Sequence, residues 1–375
     1  MVFSLFKKNT PAQGSADTQP EKTPQSRYFS LPIKEVVKET RDAITIYFDT
    51  QGREISYLPG QFFTLIVNIN GQSVRRSYSL CTAPGIDAFP GVTVKRVDGG
   101  LVSNYLNDHL KAGDMMELME PMGAFTTPIN PSVRRNLVFF AGGSGITPMM
   151  SLAKSILAAE KDTTITLVYA NRDAESIIFR SSLNHLENKY DGRFSVIHIL
   201  ENPPQDWNSY KGRLTPGIIG DILGKIRDLG EVNEYFMCGP EGMMNSISTA
   251  FRELSLPKDK LRKESFTSSA PVKPAEASTE KTAGGSLEVK VIYDGEEYTF
   301  EVEPSKTILE TALEMDIDLP YSCQSGLCTA CRGKCLSGKV EMDEMEGLSE
   351  AEINEGYVLT CVGHPKSPGV VIEIG

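Results

Sequence analysis

Residues 323–335, CQSGLCTACRGKC, place four cysteines within thirteen positions. Thiolates are soft and anionic, and four of them are enough to close a metal site. Two sets are available. Cys323, Cys328, Cys331 and Cys335 would make a local site of a kind that suits zinc. Alternatively Cys335 stands aside, and Cys361, separated from Cys331 by 29 residues, completes the set. Cys335 lies in CRGKCLSGKV, which reads as a strand leaving the loop, where a free cysteine serves as a small buried hydrophobe.

The flanks of this stretch bear on the choice. LEVKVIY (287–293) and EEYTFEV (296–302) alternate around Asp294-Gly295, a hairpin signal. In KTILETALEM, Ile308, Leu309, Ala312 and Leu313 recur at helical spacing. The strand-like GYVLT carries Cys361 back towards the loop, and GVVIEI is a last strand. Such elements fit a compact β-grasp module. Cys-x4-Cys-x2-Cys with a distant fourth cysteine is the spacing of a plant-type [2Fe–2S] cluster. Ser322, Ser325, Gly326, Thr329 and Ala330 are small enough for backbone N–H groups to approach the sulfides. Residues 287–375 resemble the plant-type ferredoxin family, and the resemblance implies Cys323, Cys328, Cys331 and Cys361 as metal ligands.

The bulk properties agree with a soluble protein of two or three domains: 375 residues, 40% hydrophobic and 23% charged. No apolar run reaches the length of a membrane span, and MVFSLFKKNT lacks the h-region of a secretory signal. Seven cysteines, four of them crowded, argue for metal binding over disulfides, and hence for a reducing, cytoplasmic setting. Charge is uneven. From Leu287 onwards, 18 Asp and Glu face 6 Lys and Arg, a net of −12 where the whole chain has −11. Residues 1–286 therefore sit near +1. A field this negative makes nucleic acid an unsuitable partner and suits docking on basic surfaces.

Composition divides the rest of the chain. Residues 1–26 are rich in Pro, Gln, Ser and Thr and read as a disordered tail. Residues 267–286 have the Pro/Ala/Ser/Gly content of a linker. Between them, residues 27–130 offer short strands (AITIYF, QFFTLIVN, GVTVKRV, MMELME) and one helix, LVSNYLNDHL, as in an antiparallel β-barrel. In residues 131–266, apolar strands (NLVFFA, TITLVYA, FSVIHIL, EYFMCG) alternate with helical stretches, as in an α/β domain on a parallel sheet.

Four short motifs carry chemistry. In RRSYSL (75–80), the Arg76 fork matches a pyrophosphate, Tyr78 offers a flat face, and Ser79 offers a donor suited to a flavin N5. In VKRVDGGLVSNYL (94–106), Lys95, Val97, Gly100, Leu101, Val102 and Ser103 surround a helix start, where N–H groups favour an anion. NLVFFAGGSGITPMMSLAKSIL (136–157) is a strand, a glycine loop and a helix. Gly143, Gly145 and Thr147 would approach phosphates there, and Pro148 stands where the third glycine of G-x-G-x-x-G would fall. In YANRDAESIIFR (169–180), no acid marks the strand tip. Asn171, Arg172 and Arg180 sit in that region, and arginine favours a 2′-phosphate, hence NADPH, with NADH the alternative.

In chain order, RSYS, GGLVS, GGSGITP and CGP (238–240) resemble the ferredoxin–NADP reductase superfamily over roughly residues 30–266. The resemblance implies that Arg76, Tyr78 and Ser79 bind a flavin, taken as FAD, and that the glycine loop binds the dinucleotide. It sets Cys238, Gly239 and Pro240 beside the nicotinamide. KESF (263–266) resembles the family's end segment, which puts Glu264 and Phe266 near the flavin and counts Tyr78, Ser79, Cys238 and Glu264 as catalytic. With the ferredoxin module last, the whole is similar to reductase components of multicomponent oxygenases, those of phenylacetyl-CoA epoxidase and of aromatic and steroid oxygenases among them. The phthalate dioxygenase reductase branch shares the order but uses FMN. Four histidines offer no 2-His-1-carboxylate site, so the expected partner is a separate oxygenase or another protein acceptor. Two other readings remain open here: a stand-alone NAD(P)H oxidase or diaphorase, and a redox-sensing binding protein.

Overall fold

The computed structural model describes residues 28–226, 232–266, 285–345 and 347–374. The expected tail lies outside them, as does nearly all of the expected linker.

The first unit comprises β1 (Tyr28–Thr40), β2 (Ala43–Phe48), β3 (Phe62–Ile69), β4 (Gln72–Ser79), β5 (Gly91–Lys95), α1 (Leu101–His109) and β6 (Met115–Met122). Its strands are antiparallel in the order β4-β3-β6-β1-β2-β5. A bridge from Leu80 to Val92 joins the two ends, so the sheet closes into the expected barrel. Phe63 meets Phe48 edge-to-face at 5.6 Å and Phe29 at 6.1 Å, filling the interior. The β3–β4 turn is Asn70-Gly71, both at positive φ, the backbone a two-residue hairpin needs.

The second unit comprises β7 (Asn136–Gly142), α2 (Ile146–Ala159), β8 (Thr164–Asn171), α3 (Arg180–Lys189), β9 (Phe194–Leu200), β10 (Tyr210–Lys211), α4 (Pro216–Lys225), β11 (Val232–Cys238), α5 (Glu241–Glu253) and β12 (Leu261–Glu264). All its strand pairs are parallel, in the order β10-β9-β8-β7-β11-β12. The order reverses between β7 and β11, which leaves a crevice at their carboxyl ends. Leu137 to Ala141 are fully buried, which explains the unbroken apolar run NLVFFA. Glu160, also fully buried, is paired with Arg135 at 2.6 Å and accepts from Asn130 N and Thr163 Oγ1. Arg135 also reaches Glu234 and the barrel's Thr127, tying the two units together. Lys154 on α2 pairs with Asp87, and Ser151 Oγ donates to Thr82 O.

The third unit comprises β13 (Leu287–Tyr293), β14 (Glu296–Val302), α6 (Ile308–Glu314), β15 (Arg332–Ser337), β16 (Val340–Met342), α7 (Glu350–Asn354), β17 (Tyr357–Leu359), β18 (Gly363–Pro365) and β19 (Val370–Ile374). Its mixed sheet runs β14-β13-β19-β15-β17, with α6 packed against it, as a β-grasp requires. The hairpin turns at Asp294-Gly295, again both at positive φ. Thr307 and Glu310 form a reciprocal cap at the start of α6.

Candidate active site

The barrel presents its flavin motif on β4. Adjacent strand residues point to opposite faces, so Arg76 lines a cavity while Arg75 turns away from it. Arg76 Nη1 donates to Arg75 O at 2.7 Å, which fixes the guanidinium at the cavity wall. Gly99, at φ +66°, and Gly100 make the turn into α1. A Cβ on Gly100 would lie 2.7 Å from Ser103 Oγ and 2.9 Å from Val97 Cβ. No side chain caps the amino end of α1, so its first N–H groups remain available to an anion.

The cavity measures about 610 Å³. Of the expected site residues, Arg76, Tyr78, Ser79, Lys95, Val97, Gly100, Leu101, Val102, Ser103, Thr147, Glu264 and Phe266 line it. Cys323 and Cys328 of the third unit line it too. Ser144 of the glycine loop and Ser265 of KESF also contribute, as do Phe62 and Thr93, to which no motif pointed. Ser79 Oγ donates to Glu264 Oε2 at 3.1 Å. Glu264 keeps part of its surface open to the cavity, yet burial pushes its carboxyl up to about 8, against the smaller lowering effect of Ser79. Burial also pushes the Tyr78 phenol up.

The glycine loop lies at the switch point of the sheet. A Cβ on Gly145 would fall 2.0 Å from Cys238 O, and one on Gly142 2.7 Å from Pro240 Cδ. A Cβ on Gly239 would lie 3.0 Å from Gly142 N. The two carboxyl ends thus approach at a distance only glycine allows. Gly143 has φ +54°, and its carbonyl accepts from the Tyr169 hydroxyl at 2.9 Å. Pro148 falls in the first turn of α2, where the missing N–H costs nothing. Lys95 Nζ of the barrel lies 3.0 Å from where a Gly143 Cβ would be, bringing the two halves together over the loop. Burial, then Arg172, lowers the Lys95 pKa. Cys238 is fully buried, and burial followed by the Glu264 charge raises its thiol pKa.

The dinucleotide tip is more acidic than expected. Arg172 is exposed, but Nη2 pairs with Asp42 at 3.1 Å and Nε with Asp173 at 3.4 Å. Arg41 also pairs with both acids. Arg180 is exposed at the start of α3. Asn171 is buried, and neither amide atom meets hydrogen-bond geometry with a partner.

In the third unit, four sulfurs converge. The Cys328 and Cys361 thiols point at Cys323, and Cys361 also points at Cys331, so donated hydrogen bonds favour thiolates on Cys323 and Cys331. Ser325 N donates to Cys323 Sγ at 3.5 Å. Gly326, at φ +72°, lets the loop turn, and its carbonyl accepts from Gly347 N at 2.8 Å. Cys335 takes no part. It lies on β15, partly exposed where a buried position was expected, and its Sγ donates to Ser337 O at 3.2 Å.

Three family models match in chain order: an oxidoreductase FAD-binding domain at residues 30–127, an oxidoreductase NAD-binding domain at 139–249 and a 2Fe-2S iron–sulfur cluster binding domain at 291–366. The chain is 37% identical over 357 residues to the ferredoxin reductase component of 3-ketosteroid-9-alpha-monooxygenase from Rhodococcus rhodochrous, spanning 93% of this chain and 97% of that one. The chain belongs to this family of oxygenase reductases. The reductase is also 33% identical to one of the subunits of 1,2-phenylacetyl-CoA epoxidase from Escherichia coli, over 92% of this chain and 97% of that one. Its fold matches the solved phthalate dioxygenase reductase with a TM-score of 0.57 and 24% identity, covering 94% of this chain and all of the other. As an NAD(P)H-dependent flavin iron–sulfur oxidoreductase, it has a cavity that suits a flavin: a forked cation, an uncapped helix start and a half-buried carboxyl whose pKa is raised. The four converging thiols suit a [2Fe–2S] cluster. Among the described residues, no helix is long and apolar enough to cross a membrane.

Proposed function

We propose that the reductase takes electrons from NAD(P)H and passes them, through FAD and the [2Fe–2S] cluster, to a separate oxygenase component. The supporting observation is the shared cavity: Cys323 and Cys328 stand in the same wall system as Arg76, Tyr78 and Glu264. When bound, the flavin accepts a hydride and releases electrons singly, which is what a cluster can take. The chain supplies the positions. Arg76 and the start of α1 hold the pyrophosphate, and the loop from Gly143 to Pro148 holds that of the dinucleotide. Cys323, Cys328, Cys331 and Cys361 bind the iron. Cys238, Gly239 and Pro240 form the floor under the nicotinamide, and Phe266 covers the open side. Glu264 keeps a proton at neutral pH, and Ser79 links that proton to the cavity. A reducing cytoplasm is the compartment in which such a thiolate set persists.

The reading is tested with cytochrome c as a one-electron acceptor. Rapid reduction of cytochrome c, with slow NAD(P)H consumption in its absence, is expected. Undiminished consumption without an acceptor would instead mark a stand-alone oxidase.

Replacing Glu264 with glutamine isolates its proton. The folded-state value of about 8 lies above the ordinary 4.5, so the group stabilises the fold fully below pH 4.5. That contribution is lost as pH rises through 8. E264Q should therefore flatten the fall of stability between about pH 4.5 and pH 8, read by thermal melts, and the change in flavin reduction rate around pH 8, read by stopped flow. An unchanged pH profile would remove Glu264 from the proton path.

Coenzyme choice is set by the acids around Arg172. Asp42 and Asp173 satisfy this arginine and repel a 2′-phosphate. D42N should raise the NADPH-to-NADH ratio of kcat/KM by about tenfold, the effect of one like charge at close range. No change in that ratio would place 2′-phosphate recognition elsewhere.

A further inference from the structure

Arg75 lies next to a flavin-site arginine in sequence but serves a different surface. Its Nη2 pairs with Asp318 Oδ1 of the ferredoxin unit at 3.2 Å. Its guanidinium lies 4.3 Å from the Tyr321 ring centroid and 5.2 Å from that of Tyr28. Its side chain is only 15% exposed, and Nη1 is buried with no hydrogen-bond partner. Tyr28 belongs to the barrel, and its phenol is pushed up by burial and by a hydrogen bond with Asp318. Tyr321 stands two residues before Cys323, which lines the flavin cavity. One strand thus holds the flavin cavity with Arg76 and the cluster loop with Arg75.

We infer that Arg75 is the positioning residue that seats the ferredoxin unit with its cluster loop facing the flavin, a role resting on the electron-transfer reading above. Burying a guanidinium between two units is costly unless it is paired and stacked, and here Asp318, Tyr28 and Tyr321 supply the partners. Asp318 is 50% exposed, so the pair is screened by salt and can open. Residues 267–286, which join the units in sequence, have a linker's composition. Closed, the contact presents the cluster to the flavin; open, it frees the cluster face for an acceptor protein.

The test uses the full-length holoprotein and two variants, R75A and D318N. Stopped flow follows flavin bleaching and cluster reduction separately, and hydrogen exchange follows the segments around Tyr28 and Tyr321. Flavin bleaching by NAD(P)H should stay within about twofold of wild type, since Arg75 does not line the cavity. Cluster reduction should slow by about tenfold in R75A and less in D318N, the loss of a stacked pair versus a screened charge. Exchange should rise at the two contact segments and not through the barrel core, as a general loss of stability would produce. R75K should recover part of the rate, because it keeps the charge but loses the flat stack. Raised salt should slow cluster reduction in wild type and leave R75A unaffected. Unchanged cluster reduction and unchanged local exchange in both variants would overturn the inference. Loss of flavin from R75A with wild-type behaviour in D318N would overturn it too. A wild-type protein that never reduces its cluster would instead defeat the electron-transfer reading, while the exchange arm would still decide the contact.

Discussion

Replacing Cys361 with serine is expected to abolish the cluster, whereas replacing Cys335 with serine is expected to leave it intact. The two residues compete for the same role in the sequence. Geometry separates them: the Cys361 thiol reaches both Cys323 and Cys331, while the Cys335 thiol turns to the Ser337 carbonyl. Cys361 follows β17, which pairs with β15 in the register Arg332 to Leu359, so the sheet returns it to the loop. Thr360 holds the same place, its N–H and hydroxyl both donating to Cys331 O at 3.2 Å. Iron content and the visible absorbance of the purified variants check this. C361S should lose nearly all cluster absorbance but keep bound flavin, because the flavin cavity does not include Cys361. A C335S protein without a cluster would reverse the assignment.

Replacing Arg135 with leucine should cost about 3–5 kcal/mol, the usual penalty for leaving a buried charge without its partner. Glu160 is fully buried and its two oxygens receive Arg135 Nε and Nη2 at 3.1 and 2.6 Å. The remaining donors, Asn130 N and Thr163 Oγ1, do not neutralise it. Arg135 precedes β7 and Glu160 follows α2, so the pair closes the strand–loop–helix unit that carries the dinucleotide glycines. A fall in Tm of about 10 °C is expected in a thermal melt. R135L/E160L should recover most of it, since two packed apolar residues leave no orphan charge. A single variant that melts with wild type would show that the pair carries no stability.

Much of this arrangement is legible in the sequence because glycine and cysteine spacing is dictated locally. The approach of Gly145 to Cys238 O is forced by the chemistry of a strand-to-helix turn at a switch point, and the turn signals itself. Asp294-Gly295 marks its hairpin for the same reason. The equally clear Asn70-Gly71 turn would have revealed β4 as a strand, although its charged residues obscure any alternation. What cannot be read is long-range pairing. Arg172 reads as free to meet a phosphate, but Asp42, 130 residues away, holds it. Arg75 and Asp318 are 243 residues apart, and nothing local links them. Thr93 reaches the cavity wall from inside the barrel, where it also bonds Thr45, a burial that composition does not announce. Cys335 shows the opposite failure: a free cysteine on a strand suggests burial, but the sheet leaves it partly exposed.

The most direct test is an anaerobic titration of the purified reductase with NADH and, separately, NADPH, followed by absorbance and low-temperature EPR. The account predicts that flavin bleaching is accompanied by the rhombic signal of a reduced [2Fe–2S] cluster, because one cavity holds the flavin motif and the cluster loop. Flavin bleaching with no cluster signal would contradict it.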